Sequence, residues 1–296
     1  MITRLINAAI LTLILFICVN ANGRVETVRF QSKMIGAPLP YNVILPPDYD
    51  TSTTTRYPVL YLLHGLTGHY SDWASRSNVA DHAAQYRMIV VTPEGNDGWY
   101  TNNASVVTDK YESYILEELI PDVQQRYRTI EARYGRAIAG LSMGGYGAIK
   151  FGLKSPQTFA FAASMSGAFA ITRIQEKDLA QLAPVLMKLF GPMGSETRKA
   201  NDIFDIVENL PANRIASLPY FYFDCGTEDP LPTVFTSNRD LAKLMFDKKI
   251  AHEFRELPGD HSWAYWDQQI PHVLEVAAQK MRMPAAVKMG ARTAGA

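Results

Sequence analysis

A serine flanked by glycines occurs at Gly140-Leu141-Ser142-Met143-Gly144, which is a G-x-S-x-G pattern. The residues before it predict a buried strand, and the residues after it predict a helix. In that context the pattern predicts a sharp turn that presents the serine hydroxyl as a nucleophile. Small side chains at 140 and 144 give the turn its clearance, and the helix N-terminus places positive partial charge where an oxyanion would develop. The alternative is a glycine-rich turn with an incidental serine; a phosphate-binding loop of the usual form is excluded because no Gly-Lys-Ser/Thr follows.

A serine hydroxyl needs a base to take its proton, and the base needs a group that fixes its tautomer. After such a turn the acid and then the histidine are expected in loops that follow later strands. "FRELPGDHSW" places His261 after the last predicted strand, and "CGTEDPLP" places Asp229 just beyond an earlier one. Asp224 and Glu228 are rivals for the acid, but the first falls inside the predicted strand and the second should point away from its neighbour. We predict a Ser142–His261–Asp229 triad.

Acyl transfer also needs hydrogen-bond donors for the oxyanion. One predicted donor is the backbone N–H of Met143, the residue after the nucleophile. The other is expected from "HGLTG", the loop after an early strand, where Leu66 is the candidate. No second histidine or acidic cluster has the spacing of metal ligands around His64, so neither a metal nor another cofactor is predicted.

The rest of the chain alternates short apolar runs with helical patterns, which predicts an α/β fold with a mostly parallel central sheet flanked by helices. Two strands near the N-terminus predict a hairpin. Pro121 is expected to kink or divide a long amphipathic helix. Between residues 169 and 219 the alternation breaks, and we predict a helical insertion that forms a lid over one end of the sheet.

The 296 residues include 29 basic and 29 acidic side chains, interspersed, so no nucleic-acid partner is indicated. Residues 1–21 have the pattern of a secretory signal peptide, with Arg4 before an apolar run and Ala21 at the cleavage site. That run is shorter than a membrane span requires, so no stable span is expected after cleavage. We predict export, a hydrolase domain over residues 22–284 and a disordered tail over 285–296. Removal of Cys18 would leave Cys225 unpaired.

The chain resembles the esterase D family of α/β-hydrolases, which includes S-formylglutathione hydrolases, tributyrin, acetyl and feruloyl esterases and, more distantly, mycolyltransferases. The resemblance covers roughly residues 25–281 and rests on "YLLHGLTGHYSDW", "VVTPEGNDGWYTN", "AIAGLSMGGYGA", "CGTEDPL" and "PGDHSWAYWDQQIPHVL". It implies the α/β-hydrolase fold and the same triad and oxyanion donors. It also implies that Trp73, Trp99 and Tyr100 line the acyl or alcohol pocket, although by residue type these aromatics could equally lie in the core. Glu94 stands where the family usually has aspartate.

These observations predict an exported serine carboxylesterase that hydrolyses a small ester, either a short acyl ester or a cinnamoyl or acetyl ester of a sugar. An acyltransferase that passes the acyl group to a sugar hydroxyl shares the first half-reaction, so the sequence leaves that alternative open. A thioesterase of the S-formylglutathione hydrolase type is a further alternative, although a secretion signal does not suit a cytosolic substrate. The sequence makes no prediction of oligomeric state.

Overall fold

A computed structural model describes residues 23–175 and 183–281 of the chain. Its central element is one eight-stranded sheet with the strand order β1-β2-β4-β3-β5-β6-β7-β8. In chain order the strands are β1 (Arg24–Val28), β2 (Tyr41–Leu45), β3 (Val59–Leu63), β4 (Ile89–Pro93), β5 (Arg136–Leu141), β6 (Phe161–Met165), β7 (Tyr220–Gly226) and β8 (His252–Leu257). The residues assigned above to the signal peptide and to the C-terminal tail lie outside the described residues.

The sheet is mostly parallel, as predicted. Strands β1 and β2 form an antiparallel hairpin, and β2 is also antiparallel to β4, while all other neighbouring pairs are parallel. Strands β2, β3 and β4 are buried along their whole length. Helices cover both faces of these strands, which explains why they read as continuous apolar runs instead of alternating ones.

Helices occupy both faces of the sheet. They are α1 (Asp72–Arg76), α2 (Val79–Ala83), α3 (Tyr111–Ser113), α4 (Ile120–Arg126), α5 (Met143–Lys154), α6 (Ala183–Phe190), α7 (Glu196–Lys199), α8 (Ile203–Glu208), α9 (Ala212–Ile215), α10 (Pro232–Asp247) and α11 (Trp263–Lys280). One core cluster joins the sheet to α3, α4, α5, α8 and α10, and a second joins it to α1, α2 and α11. Successive residues of β3 alternate between the two clusters, as the two-residue period of a strand requires.

The segment from 111 to 126 is helical throughout, but its winding changes before Pro121. Helix α3 continues into a π-helical stretch over Tyr114–Leu119, and α4 then begins at Ile120 with Pro121 in its first turn. Proline lacks an N–H and its ring clashes with the carbonyl four residues back, so the wider π-helical turn relieves that conflict. Near Pro121, where a kink or division of the helix was expected, the helix changes its winding without a break.

The predicted insertion contains helices α6–α9, between β6 and β7. Helix α8 packs against α5 and α10, and Phe190 of α6 contacts the rings of Trp99 and Tyr146. The insertion is therefore attached to the face of the sheet that α5 covers. Within the described part of the chain, no helix is both long and apolar enough to cross a membrane.

Candidate active site

Ser142 lies at the carboxyl end of β5, in the one-residue turn before α5. Its backbone has φ 51° and ψ −113°, a conformation that residues other than glycine rarely adopt. A Cβ on Gly140 would lie 2.4 Å from the carbonyl carbon of Gly144, and a Cβ on Gly144 would lie 2.5 Å from the backbone oxygen of His64. Both neighbours are backbone atoms that cannot rotate away, so a side chain at either position would push the backbone segments apart. The turn has the geometry of a nucleophile elbow.

Two hydrogen bonds join Ser142, His261 and Asp229. Nε2 of His261 lies 3.0 Å from Oγ of Ser142, and Nδ1 of His261 lies 2.8 Å from Oδ2 of Asp229. The Asp229 carboxylate is fully buried, and its other oxygen accepts the backbone N–H of Leu231 at 2.9 Å. Because an ionised carboxylate only accepts, Nδ1 carries the hydrogen and Nε2 is free to accept the serine proton. The structure thus brings together the three residues predicted as the triad.

The two rival acids lie elsewhere. Asp224 is buried within β7, where its carboxylate accepts the hydroxyls of Tyr222 at 2.9 Å and Tyr265 at 2.8 Å. Burial raises the pKa of Asp224 to about 7, although both tyrosine hydroxyls oppose that shift. Glu228 is exposed to solvent. Asp229 is therefore the one of the three carboxylates that reaches the imidazole.

Close contact between two loops places Asp229 and His261 side by side. Gly226 is the last residue of β7, just before the loop that carries Asp229. A Cβ on Gly226 would lie 2.2 Å from the backbone oxygen of Gly259, in the loop after β8. The N–H of Glu228 also donates to that oxygen at 2.9 Å. The Trp266 and His261 rings then pack edge-to-face, with the centroids 5.1 Å apart. These contacts hold the imidazole in the orientation that the triad needs.

Met143 and Leu66, the predicted oxyanion donors, both lie beside Ser142. Met143 is the first residue of α5, so its N–H has no acceptor within the helix. Leu66 lies in the loop after β3 and lines the cleft beside Ser142. The Gly65 carbonyl, which shares a peptide group with the Leu66 N–H, accepts from Nδ1 of His64 at 2.8 Å and from the N–H of Gly68 at 3.1 Å. The orientation of that peptide group is therefore defined.

A cleft of about 690 Å³ opens above Ser142. Its apolar wall includes the exposed side chains of Leu66 and Leu231 and the indoles of Trp263 and Trp266. The Arg76 guanidinium, also in the wall, stacks on Trp263 at 5.0 Å from the ring centroid. No described residue of the helical insertion lines this cleft, so the part of the predicted lid that is described does not cover it. Among the residues described, no cluster of His, Cys, Asp or Glu is placed to hold a metal ion.

The three aromatic residues expected in the pocket lie in the core instead. Trp73 is fully buried and donates its indole N–H to the Leu63 carbonyl at 3.1 Å. Trp99 packs edge-to-face against Tyr146 on α5. Tyr100 is fully buried and donates its hydroxyl to the His64 backbone oxygen at 3.1 Å. Their expected role in the pocket is corrected: they support the loops from beneath, because buried aromatic surface is worth more there than at a solvent-filled cleft.

Trp263, Leu231 and Arg76 line the wall in their place, and none of the three was predicted from the sequence. Trp263 and Leu231 each stand within two residues of a triad member along the chain, a local signal that could have indicated them.

A family model described as putative esterase matches residues 32–275. The chain belongs to this family. It is 28% identical over 259 residues to an acetyl esterase of Caldicellulosiruptor saccharolyticus, covering 84% of this chain and 96% of that protein. It is 33% identical to esterase Rv1288 of Mycobacterium tuberculosis, covering 79% of this chain but only 54% of that longer protein. A solved ferulic acid esterase is 28% identical with a TM-score of 0.75, covering 88% of this chain and 99% of that one.

S-formylglutathione hydrolases and mycolyltransferases are also among the proteins that resemble this esterase. Together these likenesses confirm the predicted family and its α/β-hydrolase fold. They also confirm that the protein is a carboxylic ester hydrolase.

Proposed function

We propose that this esterase hydrolyses short acyl or cinnamoyl esters, including acetyl and feruloyl esters of sugars, through a serine acyl-enzyme. The observation that supports the mechanism is the continuous line of hydrogen bonds from Asp229 through His261 to Ser142. Support for the substrate class comes from the cleft, whose leucines and tryptophans suit an apolar or aromatic acyl group. The names of the acetyl and ferulic acid esterases that the chain resembles point the same way.

In the first half-reaction, Oγ of Ser142 attacks the ester carbonyl carbon while Nε2 of His261 takes the serine proton. The carbonyl oxygen becomes an oxyanion that accepts hydrogen bonds from the N–H groups of Leu66 and Met143. When the tetrahedral intermediate collapses, the C–O bond to the alcohol breaks and His261 returns its proton to the departing oxygen. Asp229 stabilises the imidazolium that exists between these two proton transfers.

In the second half-reaction, water takes the place of the alcohol. Nε2 of His261 removes a proton from the water as its oxygen attacks the acyl carbon. Collapse of this second intermediate breaks the bond to Ser142, and the imidazolium returns a proton to the serine oxygen. The products are the free acid and the unmodified enzyme.

Substitution of the nucleophile tests the mechanism. We expect Ser142→Ala to lower kcat on p-nitrophenyl acetate by at least about 10³-fold, because only oxyanion and binding effects remain without the nucleophile. Ser217→Ala is the matched control, since the hydroxyl of that serine donates only to the Arg214 carbonyl in its own turn and the residue does not line the cleft. Turnover by Ser142→Ala equal to that of the control would refute the assignment.

Acyl transfer to a sugar hydroxyl is the second candidate function, and the likeness to mycolyltransferases supports it. The two reactions share the acyl-enzyme, so product analysis with an added sugar acceptor separates them. A thioesterase of the S-formylglutathione hydrolase type is tested in the same experiment by adding the thioester. We also infer export through cleavage after Ala21; N-terminal sequencing that finds the mature protein beginning at Met1 would exclude that cleavage.

A further inference from the structure

Glu94 lies at the carboxyl end of β4 and is almost fully buried. It accepts hydrogen bonds from two separate stretches of backbone. Its Oε1 accepts the N–H groups of Gly95 at 3.1 Å and Asn96 at 2.9 Å. Its Oε2 accepts the N–H of Tyr70 at 3.3 Å, and the ring of His69 lies at the same distance. One carboxylate therefore ties the loop after β4 to the far end of the loop after β3.

The electrostatic state of Glu94 agrees with that arrangement. Burial by itself would raise the pKa of Glu94, but hydrogen bonds from His64 and from the N–H groups of Asn96 and Tyr70 lower it to about 2. The side chain is consequently ionised throughout the neutral range and only accepts hydrogen bonds. A buried carboxylate that is held by so many donors costs little in free energy, whereas the same donors would be left unsatisfied without it.

His64 connects Glu94 to the peptide group that carries the Leu66 N–H. Nδ1 of His64 lies 2.8 Å from the Gly65 oxygen, which can only accept, so Nδ1 carries a hydrogen. Nε2 lies 2.9 Å from the Gly95 nitrogen, whose one hydrogen is shared between Nε2 and Oε1 of Glu94, and Nε2 lies 3.3 Å from that oxygen. A neutral imidazole accepts the Gly95 N–H at Nε2, whereas an imidazolium donates from Nε2 to Oε1 of Glu94. In both forms the bond from Nδ1 to the Gly65 oxygen remains.

The consequence for the Leu66 N–H follows from peptide geometry. The C=O of Gly65 and the N–H of Leu66 belong to one planar trans peptide, so the two groups point in opposite directions. His64 and the Gly68 N–H hold the Gly65 oxygen on the side away from the cleft. The Leu66 N–H must therefore point toward the cleft. The next N–H along, from Thr67, is held by Oδ1 of Asp97 at 2.7 Å and so does not compete for the oxyanion.

We propose that Glu94 and His64 are positioning residues that orient the Leu66 N–H toward the oxyanion. Glu94 holds the Gly95 N–H in place, Gly95 and Glu94 together hold the His64 ring, and His64 holds the Gly65–Leu66 peptide. The role rests on the proposed serine mechanism, because it has meaning only if an oxyanion forms beside Ser142.

The test compares Glu94→Gln with the wild type. The amide presents its NH₂ group to backbone donors that now meet a carboxylate oxygen, so the loop must shift while the side-chain size is kept. Removal of one oxyanion donor lowers kcat about 10²- to 10³-fold, and misorientation should cost less. We expect kcat on p-nitrophenyl butyrate to fall about 10- to 100-fold, with KM changed less than about threefold because the donor acts on the transition state.

A second readout separates this role from general damage to the fold. A trifluoromethyl ketone with a butyryl-length chain forms a tetrahedral adduct with Ser142 whose oxyanion uses the same donors. Its Ki should rise by about the factor by which kcat falls, since transition-state analogues follow transition-state binding. Glu118→Gln is the matched control: Glu118 also accepts two backbone N–H groups and a hydroxyl, from Lys33, Met34 and Ser32, and it does not line the cleft. That variant should keep kcat, KM and Ki within twofold of wild type.

Two His64 variants test the positioning role if Glu94→Gln does not fold. Asparagine places its amide nitrogen near the position of Nδ1, whereas glutamine places it near Nε2. His64→Asn should therefore retain at least about tenfold more kcat than His64→Gln.

Equal kcat in the two His64 variants would overturn the positioning role, as would a Glu94→Gln enzyme within twofold of wild type or a loss of kcat without a rise in Ki. Activity that survives Ser142→Ala would instead refute the proposed mechanism itself. The two failures are thus distinguishable.

Discussion

Substitution of Gly144 by alanine tests how closely α5 must approach the end of β3 and the following loop, which carries Leu66. The added Cβ would lie 2.5 Å from the backbone oxygen of His64 and 2.6 Å from that of Leu63. An ordinary van der Waals contact begins near 3.4 Å, so α5 and the end of β3 must separate by about 0.9 Å. The displaced oxygen belongs to the residue just before the Gly65–Leu66 peptide.

The expected effects on stability and on rate differ in size. Overpacking costs about 1–3 kcal/mol, and the gain in helix propensity on replacing glycine returns up to about 1 kcal/mol. A net loss of about 1–2 kcal/mol should lower the Tm by a few degrees for a domain of this length. A misplacement of about 1 Å costs up to about 10²-fold in rate. We therefore expect kcat/KM on p-nitrophenyl acetate to fall about 100-fold in a protein that remains folded.

The assay is steady-state hydrolysis at 25 °C together with thermal unfolding followed by circular dichroism. Gly194→Ala is the control, because a Cβ there meets nothing within 4 Å and the site lies in the insertion. Its φ of +77° makes alanine strained, so the control should lose stability without losing activity. A Gly144→Ala enzyme with kcat/KM within threefold of wild type would show that the close approach is not needed for catalysis.

Two further predictions concern buried charges outside the triad. The free energy of unfolding of Asp224→Asn, relative to that of the wild type, should be higher at pH 8 than at pH 5. Burial raises the pKa of Asp224 from 3.8 to about 7, so the folded state holds a proton that the unfolded state has lost. The stability of the wild type therefore falls as the pH rises through that interval, and the asparagine variant does not share that loss. Urea unfolding at both pH values measures this, and a difference that does not change with pH contradicts it. Lys150→Met should lower the free energy of unfolding by about 3 kcal/mol, because it removes the fully buried ammonium that lies 3.0 Å from Glu112 and donates to the Tyr100 oxygen. The expected loss is at the low end for a broken buried pair because Lys154 still contacts Glu112, and a change below 1 kcal/mol in urea unfolding would contradict it.

The triad could be predicted because its signals are local and its chain order follows from the fold. Gly140 and Gly144 indicate the turn around Ser142, since a larger residue at either position would clash with backbone atoms. His261 and Asp229 follow later strands, and the carboxyl ends of parallel strands meet at one edge of a sheet. The structure brings these side chains within hydrogen-bond distance of one another, as that reasoning requires.

The wall of the cleft could not be predicted in the same way. Trp73 and Trp263 are both tryptophans at the first turn of a helix, and their rings are only 5.1 Å apart. Only Trp263 lines the cleft, because it is partly buried whereas Trp73, whose ring it contacts, is fully buried. The contacts of Glu94 were equally unpredictable, because its donors lie in two loops and no local pattern reports them.

The sequence by itself determined the family, the mostly parallel sheet, the strained turn at Ser142 and the order of the candidate triad. Each of these depends on backbone sterics or on a periodicity that neighbouring residues carry. Only the tertiary structure decided which aromatic residues are core and which line the cleft, and which backbone groups Glu94 and His64 contact. Those features depend on which faces meet when segments distant in the chain pack together, and side-chain type alone does not specify them.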